Sequence, residues 1–283
     1  MRDEEQVLKQ ILDFAKAEDR VRAVMLNGSR LNDKAPKDIW QDYDIVFFVR
    51  DIDTVDYKAN QDWIEQFGEL VIKQVNDFDN GFIVMMQFKD GVRIDLNFKD
   101  IKDIDSIAKQ DSLSKILLDK DNLAPVLPLP NDSVYHTAKP TEQEFTELLN
   151  ECWWIMPYIA KGILRDELPY VKYMFDVVLM GCIRKLLCWH IGFEYNWQIN
   201  PGYCEKWFKR YLPIDLYNEF IALFPTTDYN YIRESLFQTG NFIRKIGQPL
   251  AKKFSYPYSE ADDENVTVYI QSFVRARTPI ATV

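Results

Sequence analysis

Hydrophobic and polar positions follow two different periods along this chain. Over Glu4 to Ala17 apolar residues fall at 7, 8, 11, 12, 14 and 15, the spacing of a helix with one buried face. Residues 21–26 and 44–49 are short apolar runs instead, the second reading Ile45-Val46-Phe47-Phe48-Val49. Such runs predict strands, the second buried on both faces. The first stops at Asn27-Gly28. A short helix is predicted over 62–67 and an alternating strand over 69–75. Residues 82–88 and 92–98 flank Asp90-Gly91 and predict a hairpin, with a further short strand over 115–118. From about residue 140 the pattern is helical almost throughout, over 141–164, 168–192, 204–211, 214–223, 228–253 and 262–276. Thr141 with Glu144 makes a capping box at the first of these helices. Between the two regimes lies 124–132, where Pro125, Pro128 and Pro130 allow neither helix nor central strand. The prediction is an α+β chain: a domain over 1–135 with a small mixed β-sheet and flanking helices, and an all-helical bundle over 136–283. No repeat of 20–50 residues is present, which excludes a solenoid.

Composition narrows the class. The chain has 283 residues, 47% hydrophobic and 28% charged, which suits a folded globular protein and excludes a disordered one. No apolar run approaches the ~20 residues that span a bilayer, and Met1 to Lys9 is charged with no secretory stretch behind it. A cytoplasmic location without membrane contact is therefore expected. Cys152, Cys182, Cys188 and Cys204 form no C-x-x-C pair and sit among apolar or aromatic neighbours, as reduced core thiols do. Two histidines, His136 and His190, argue against a His-rich zinc site and against Ser-His chemistry. The net charge of −10, with no basic stripe, argues against a nucleic-acid partner and suits a cationic small molecule. Nothing in the sequence fixes the oligomeric state.

Three segments carry candidate chemistry. Val24-Met25-Leu26 runs into Gly28-Ser29-Arg30. A glycine after a strand lets the backbone approach a phosphate, a following helical turn would offer N–H groups, and Ser29 and Arg30 add a hydroxyl and a charge. The plainer reading is a turn. Twelve residues later, Asp42-Tyr43-Asp44 opens the apolar strand. Residues i and i+2 of a strand face one side, so the two carboxylates point together. That is unfavourable unless a cation intervenes, and Mg²⁺ with substrate phosphates is the natural one. Asp95 then sits between Ile94 and Leu96, where a lone carboxylate is costly to bury. Either Arg93 pairs with it, or it joins Asp42 and Asp44 as a metal ligand or as a base.

This ordered set resembles the polymerase-beta-like nucleotidyltransferases. The likeness extends, through Arg22-Ala23-Val24, Gln41-Asp42-Tyr43-Asp44-Ile45, Val92-Arg93-Ile94-Asp95-Leu96 and Leu117-Leu118-Asp119-Lys120-Asp121, to the aminoglycoside 6-adenylyltransferases that modify streptomycin. Asn150-Glu151-x-Trp153, Lys161-Gly162, Trp189-His190, Lys209-Arg210-Tyr211 and Tyr256-Pro257 continue it through the helical half. The resemblance implies a nucleotidyltransferase domain over 1–135 that binds ATP and Mg²⁺, a helical substrate-binding domain over 136–283, and transfer of AMP to a hydroxyl. It implies catalytic and metal-holding roles for Asp42, Asp44 and Asp95, and nucleotide contacts from Gly28, Ser29, Arg30 and Lys161. The chain departs from the family pattern at Asn27, where glutamate is usual. Lys172-Tyr173-Met174 replaces an Ile-Asp-His segment, and Gly202-Tyr203-Cys204 a lysine-bearing loop.

Glu144, Glu147 and Glu151 share one helix face. With Trp154 they are expected to bind a cationic acceptor, against the plainer reading of a solvated acidic face. Two other functions stay open: adenylylation of a different alcohol or a protein, and a non-catalytic nucleotide-binding module. Intact Asp42, Asp44 and Asp95 disfavour the module.

Overall fold

The computed structural model describes residues 2–52 and 57–274. The chain forms two compact units, Met1–Val134 and Tyr135–Val283.

In the first unit, α1 (Glu4–Ala17) opens on a capping box between Asp3 and Gln6 and buries Val7, Ile11, Phe14 and Ala15. There follow β1 (Val21–Asn27), β2 (Tyr43–Val49), β3 (Leu70–Phe78), β4 (Gly81–Phe88), β5 (Arg93–Asp100), α2 (Ile104–Ala108) and β6 (Ser114–Asp119). The six strands form one mixed sheet in the order β3-β4-β5-β2-β1-β6. β2 and β5 run parallel at its centre, and the other pairings are antiparallel. Alternation along β2 sorts its residues between two cores. Ile45, Phe47 and Val49 join α1 on one face, while Val46 and Phe48 join Met25, Ile104 and Ala108 on the other. The apolar run of β2 is thus explained by cover on both faces.

Two expectations for this unit change in detail. Residues 62–67 form a 3-10 helix rather than an α-helix. β3 continues to Phe78, because Asp79-Asn80 and Gly81 (φ 141°) turn the chain directly into β4. β3 is also an exposed edge strand, so its outward residues gave little pattern beyond 75.

The second unit contains α3 (Glu142–Leu164), α4 (Leu168–Lys172), α5 (Met180–Glu194), α6 (Phe208–Tyr211), α7 (Ile214–Ala222), α8 (Tyr229–Phe254) and α9 (Glu260–Val274). The capping box of Thr141 and Glu144 is present. The single helix expected over 168–192 is interrupted by a π-helical turn at Tyr173–Leu179. The helix expected over 204–211 is broken by Cys204 and Glu205, both at positive φ, leaving only α6. The last expected helix reached 276, and its final two positions lie outside the described residues. The core of this unit centres on α3, α5 and α8 and includes Trp153, Phe175, Leu187, Phe242 and Phe254. Cys152 is buried here, and Cys182 and Cys188 are half-buried. Cys204 is exposed on the broken turn, which corrects its reading as a core thiol.

Candidate active site

Asp44 is the second residue of β2, and the sheet surrounds it. In the register it lies between Asn27, where β1 ends, and Asp95, near the start of β5. Register partners on parallel strands project to the same face, and Ile45 with Leu96, the next pair, shares the opposite core. Asp44 and Asp95 therefore stand side by side on one face. Asp42, two residues before Asp44, joins them, because the Arg93 guanidinium links the group. Its Nε and Nη2 donate to the two carboxylate oxygens of Asp95 at 2.9 and 2.7 Å, and its Nη1 lies 3.6 Å from Asp42 Oδ2. Asp95 thus pairs with Arg93 and stands on the face of the D-x-D pair.

The electrostatics follow from this crowding. Burial, then the charges of Asp95 and Asp42, push the Asp44 carboxyl up to about 6, with Asp111 adding to the rise and Arg93 opposing it. Asp95 is only 7% exposed, and a carboxylate that buried requires a cationic or hydrogen-bonding partner. The hydrogen bond that Arg93 donates to Asp95, against desolvation, raises the affinity of the Arg93 guanidinium for its proton.

The Gly28 turn differs from expectation. A 3-10 turn, Gly28–Leu31, follows β1. The Gly28 N–H donates to Leu113 O at 3.0 Å and is not held out for a phosphate. The demand for glycine comes from elsewhere: φ is +81°, and a Cβ there would run into Asp44 Oδ2 and stand 3.2 Å from Asp44 Cγ. Arg30 was expected to offer its charge to a phosphate. Its side chain is 6% exposed, and Nε and Nη2 donate to the carbonyls of Asp42 (3.0 Å) and Gln41 (2.6 Å). The guanidinium also meets Glu4 at 3.1 Å and stacks 3.5 Å over the Tyr43 ring. It fixes the chain leading into Asp42. Gln41 ties that same stretch back to Ser29, its side-chain amide reaching Ser29 O at 3.3 Å.

A divalent cation suits the donor set chemically, since Asp42, Asp44 and Asp95 offer only oxygen, as Mg²⁺ prefers. Among the described residues, however, no three acidic, His or Cys side chains converge as a ready-made cage. Arg93 holds Asp95 and reaches Asp42. Sequence reasoning weighed Arg93 only as a partner of Asp95 and missed its reach to Asp42. It also missed Asp111, which adds its charge to Asp44 from the loop before β6. No local pattern marks that residue.

The helical unit holds the remaining candidates. Glu147, Glu151, Trp154 and Lys161 recur at three- and four-residue steps along α3, so they share one face, and Tyr158 completes it. Trp154 is 59% exposed and donates from Nε1 to Tyr158 Oη at 2.8 Å. The Lys161 ammonium lies 5.4 Å from the Tyr158 ring centroid. Glu144 is committed to the N-cap, accepting from Thr141 N at 2.8 Å. Glu147 accepts from Gln143 at 2.8 Å and borders a 420 Å³ cleft lined also by Asn150, Trp153, Tyr258 and Asp262.

Comparison with known proteins agrees with this arrangement. The family model described as Streptomycin adenylyltransferase matches residues 1–273. The chain is 34% identical over 278 residues to an aminoglycoside 6-adenylyltransferase of Campylobacter jejuni, covering 95% of each chain. It is 31% identical over 280 residues to the enzyme of that name from Bacillus subtilis (strain 168), covering 96% of this chain and 98% of that one. A crystal structure of an aminoglycoside 6-adenyltransferase from Bacillus subtilis superposes with a TM-score of 0.50 at 26% identity, over 97% of this chain and 99% of that one. With a family match over nearly the whole length, and with carboxylates at Asp42, Asp44 and Asp95 on one face of the sheet, the chain belongs to the streptomycin adenylyltransferase family and is a nucleotidyltransferase.

Proposed function

We propose that the chain transfers AMP from ATP, with Mg²⁺, to a hydroxyl of a streptomycin-like aminoglycoside. The observation that carries this reading is the register of Asp44 with Asp95 on the two parallel central strands, with Asp42 on the same face. Such a cluster of carboxylates costs stability unless it serves a cation. Asp42, Asp44 and Asp95 would hold the metal, and a bound Mg²⁺ supplies neutralisation of the phosphate charge that develops during transfer.

The acceptor hydroxyl oxygen bonds to the α-phosphorus as its proton passes to solvent, the bond from that phosphorus to the bridging oxygen breaks, and pyrophosphate leaves. Gly28 lets Asp44 lie close against the turn, and Arg30 with Gln41 fixes the approach to Asp42. Both oxygens of Asp95 accept from Arg93, so either role, metal ligand or base, requires Arg93 to give one of them up. The cationic groups of the acceptor would meet Glu151, Glu147 and Trp154 on α3, where carboxylates alternate with an exposed aromatic. Glu144, as the N-cap partner, contributes charge rather than a free side chain. Lys161 on the same face is read as a counter-charge for triphosphate, on the strength of the family likeness. Tyr173 and Tyr203, two departures from the family pattern, are 58% and 86% exposed. Their exposure supports a role in choosing the acceptor.

The test is incubation of the protein with ATP, Mg²⁺ and a panel of aminoglycosides that includes streptomycin, with mass spectrometry for an AMP adduct and an assay for pyrophosphate. An adduct made by the wild type and not by Asp44→Asn is expected. Absence of an adduct with every aminoglycoside would overturn the acceptor class.

A further inference from the structure

We propose that Arg93 is a resident counter-ion that competes with the metal: it holds Asp95 and Asp42 while no metal is bound and yields them when metal arrives. The inference rests on the metal-holding role proposed above for Asp42, Asp44 and Asp95.

Four observations carry it. The Arg93 guanidinium forks both oxygens of Asp95 and reaches Asp42 Oδ2, so one cation spans two of the three carboxylates. Asp95 is buried and needs a positive neighbour in every state of the protein, before metal binds as well as after. No three-ligand cage stands ready among the described residues. Finally, Arg93 is the first residue of β5, next to the Asp90-Gly91 turn, and its side chain is 41% exposed. It can withdraw by side-chain rotation alone, with no change in the sheet. A structural salt bridge would instead keep both Asp95 oxygens and leave the metal to Asp42 and Asp44. Arg93 is in this account a positioning residue: it keeps mutually repelling carboxylates in place, and it sets the threshold that a metal must exceed.

The experiment measures Mn²⁺ and Mg²⁺ binding to the full chain by calorimetry, with melting temperatures in the presence and absence of metal. Losing a competitor bound through charge-assisted hydrogen bonds should tighten Mn²⁺ binding about ten- to a hundredfold in Arg93→Gln. The metal-free variant should melt lower than wild type, and Mn²⁺ should raise its melting temperature by more. Arg93→Lys keeps the charge and loses the fork, and should tighten binding by an intermediate factor. Lys115→Gln removes a charge from the exposed side of β6 and should leave affinity within about twofold, since screened surface charges contribute little. Unchanged or weaker Mn²⁺ binding in Arg93→Gln would overturn the proposal, as would an equal gain in Lys115→Gln. Should Arg93→Gln fail to fold, unchanged affinity in Arg93→Lys overturns it instead. Asp44→Asn separates the two levels of inference. If it abolishes Mn²⁺ binding while the Arg93 variants match wild type, the metal site stands and the counter-ion falls. If neither wild type nor any variant binds Mn²⁺, the metal-holding reading falls with it.

Discussion

Gly28→Ala tests whether the glycine of the turn exists for Asp44. The added Cβ meets two obstacles. The backbone holds φ at +81°, which costs an L-residue roughly 1–2 kcal/mol. The methyl group would also overlap Asp44 Oδ2, and relieving that overlap requires the carboxylate to shift by roughly 1 Å, since sheet interiors leave no slack. Asp44 cannot retreat along its own face, because Asp95 lies beside it in register and its charge already repels. For a unit of 134 residues, 1–2 kcal/mol corresponds to a fall in melting temperature of about 4–8 °C. The effect on catalysis should be larger than stability alone dictates, since a misplacement of about 1 Å at a reacting centre costs around a hundredfold. Adenylyl transfer by Gly28→Ala, measured at 25 °C where the protein remains folded, should therefore fall by about two decades in kcat. A variant that melts several degrees lower and yet retains kcat within threefold would refute this reasoning, because it would show that the glycine serves only its own backbone.

Three further outcomes are expected. Asp44→Asn should remove two to four decades of transfer activity while leaving the metal-free melting temperature unchanged or higher, since the lost charge is one that Asp95 and Asp42 repel; retained turnover would take Asp44 out of the site. Burial alone would push Asp263 up, but hydrogen bonds from Arg244 and Tyr258 outweigh it and hold the carboxyl below its ordinary value. Its contribution is therefore present above the unfolded value of about 3.9 and lost as pH falls through the folded one. Asp263→Asn should cost about 3 kcal/mol at pH 7, and the gap from wild type in urea melts should close below about pH 4; a gap independent of pH would contradict the assignment. Glu151→Gln should weaken aminoglycoside binding more than ATP binding by calorimetry, and unchanged acceptor affinity would return Glu151 to a solvated helix face.

The parts of the site that were legible in the sequence are those set by local period. Asp42 and Asp44 share a face because a strand repeats every two residues, and β2 is apolar from Ile45 to Val49 because cores lie on both sides of it. The long helices α3 and α8 follow from the three-to-four spacing of their buried residues. What local period could not settle is partnership at a distance, and the reading of Asp95 stayed open between Arg93 and the D-x-D pair. Asp95 lies 51 positions beyond Asp44, and only the parallel pairing of β5 with β2 makes them neighbours. Gly28 and Arg30 illustrate the same limit. Their residue types suggested a phosphate cradle, yet the glycine is shaped around Asp44 and the arginine around the carbonyls before it. The π-helical turn at Tyr173–Leu179 is a further case, because one extra residue per turn leaves the apolar pattern of a short segment nearly unaltered.

These cases bear on how a carboxylate site is built. In the metal-holding role proposed above, the three aspartates would stand close enough to share a cation, and that closeness is a liability whenever the cation is absent. The fold meets the difficulty with groups that are not ligands. The carbonyl clamp of Arg30 fixes the entry to Asp42, the missing side chain at Gly28 makes room for Asp44, and the guanidinium of Arg93 neutralises Asp95. Among the described residues no guanidinium forks Asp44 as Arg93 forks Asp95, and although the Arg93 charge opposes the rise, its carboxyl is pushed up to about 6. The residue with the least compensation inside the protein is thus the one with most to gain from a metal. That asymmetry among three chemically identical side chains, together with their register on one face of the sheet, supports the proposal that the cluster is kept for catalysis and not for stability.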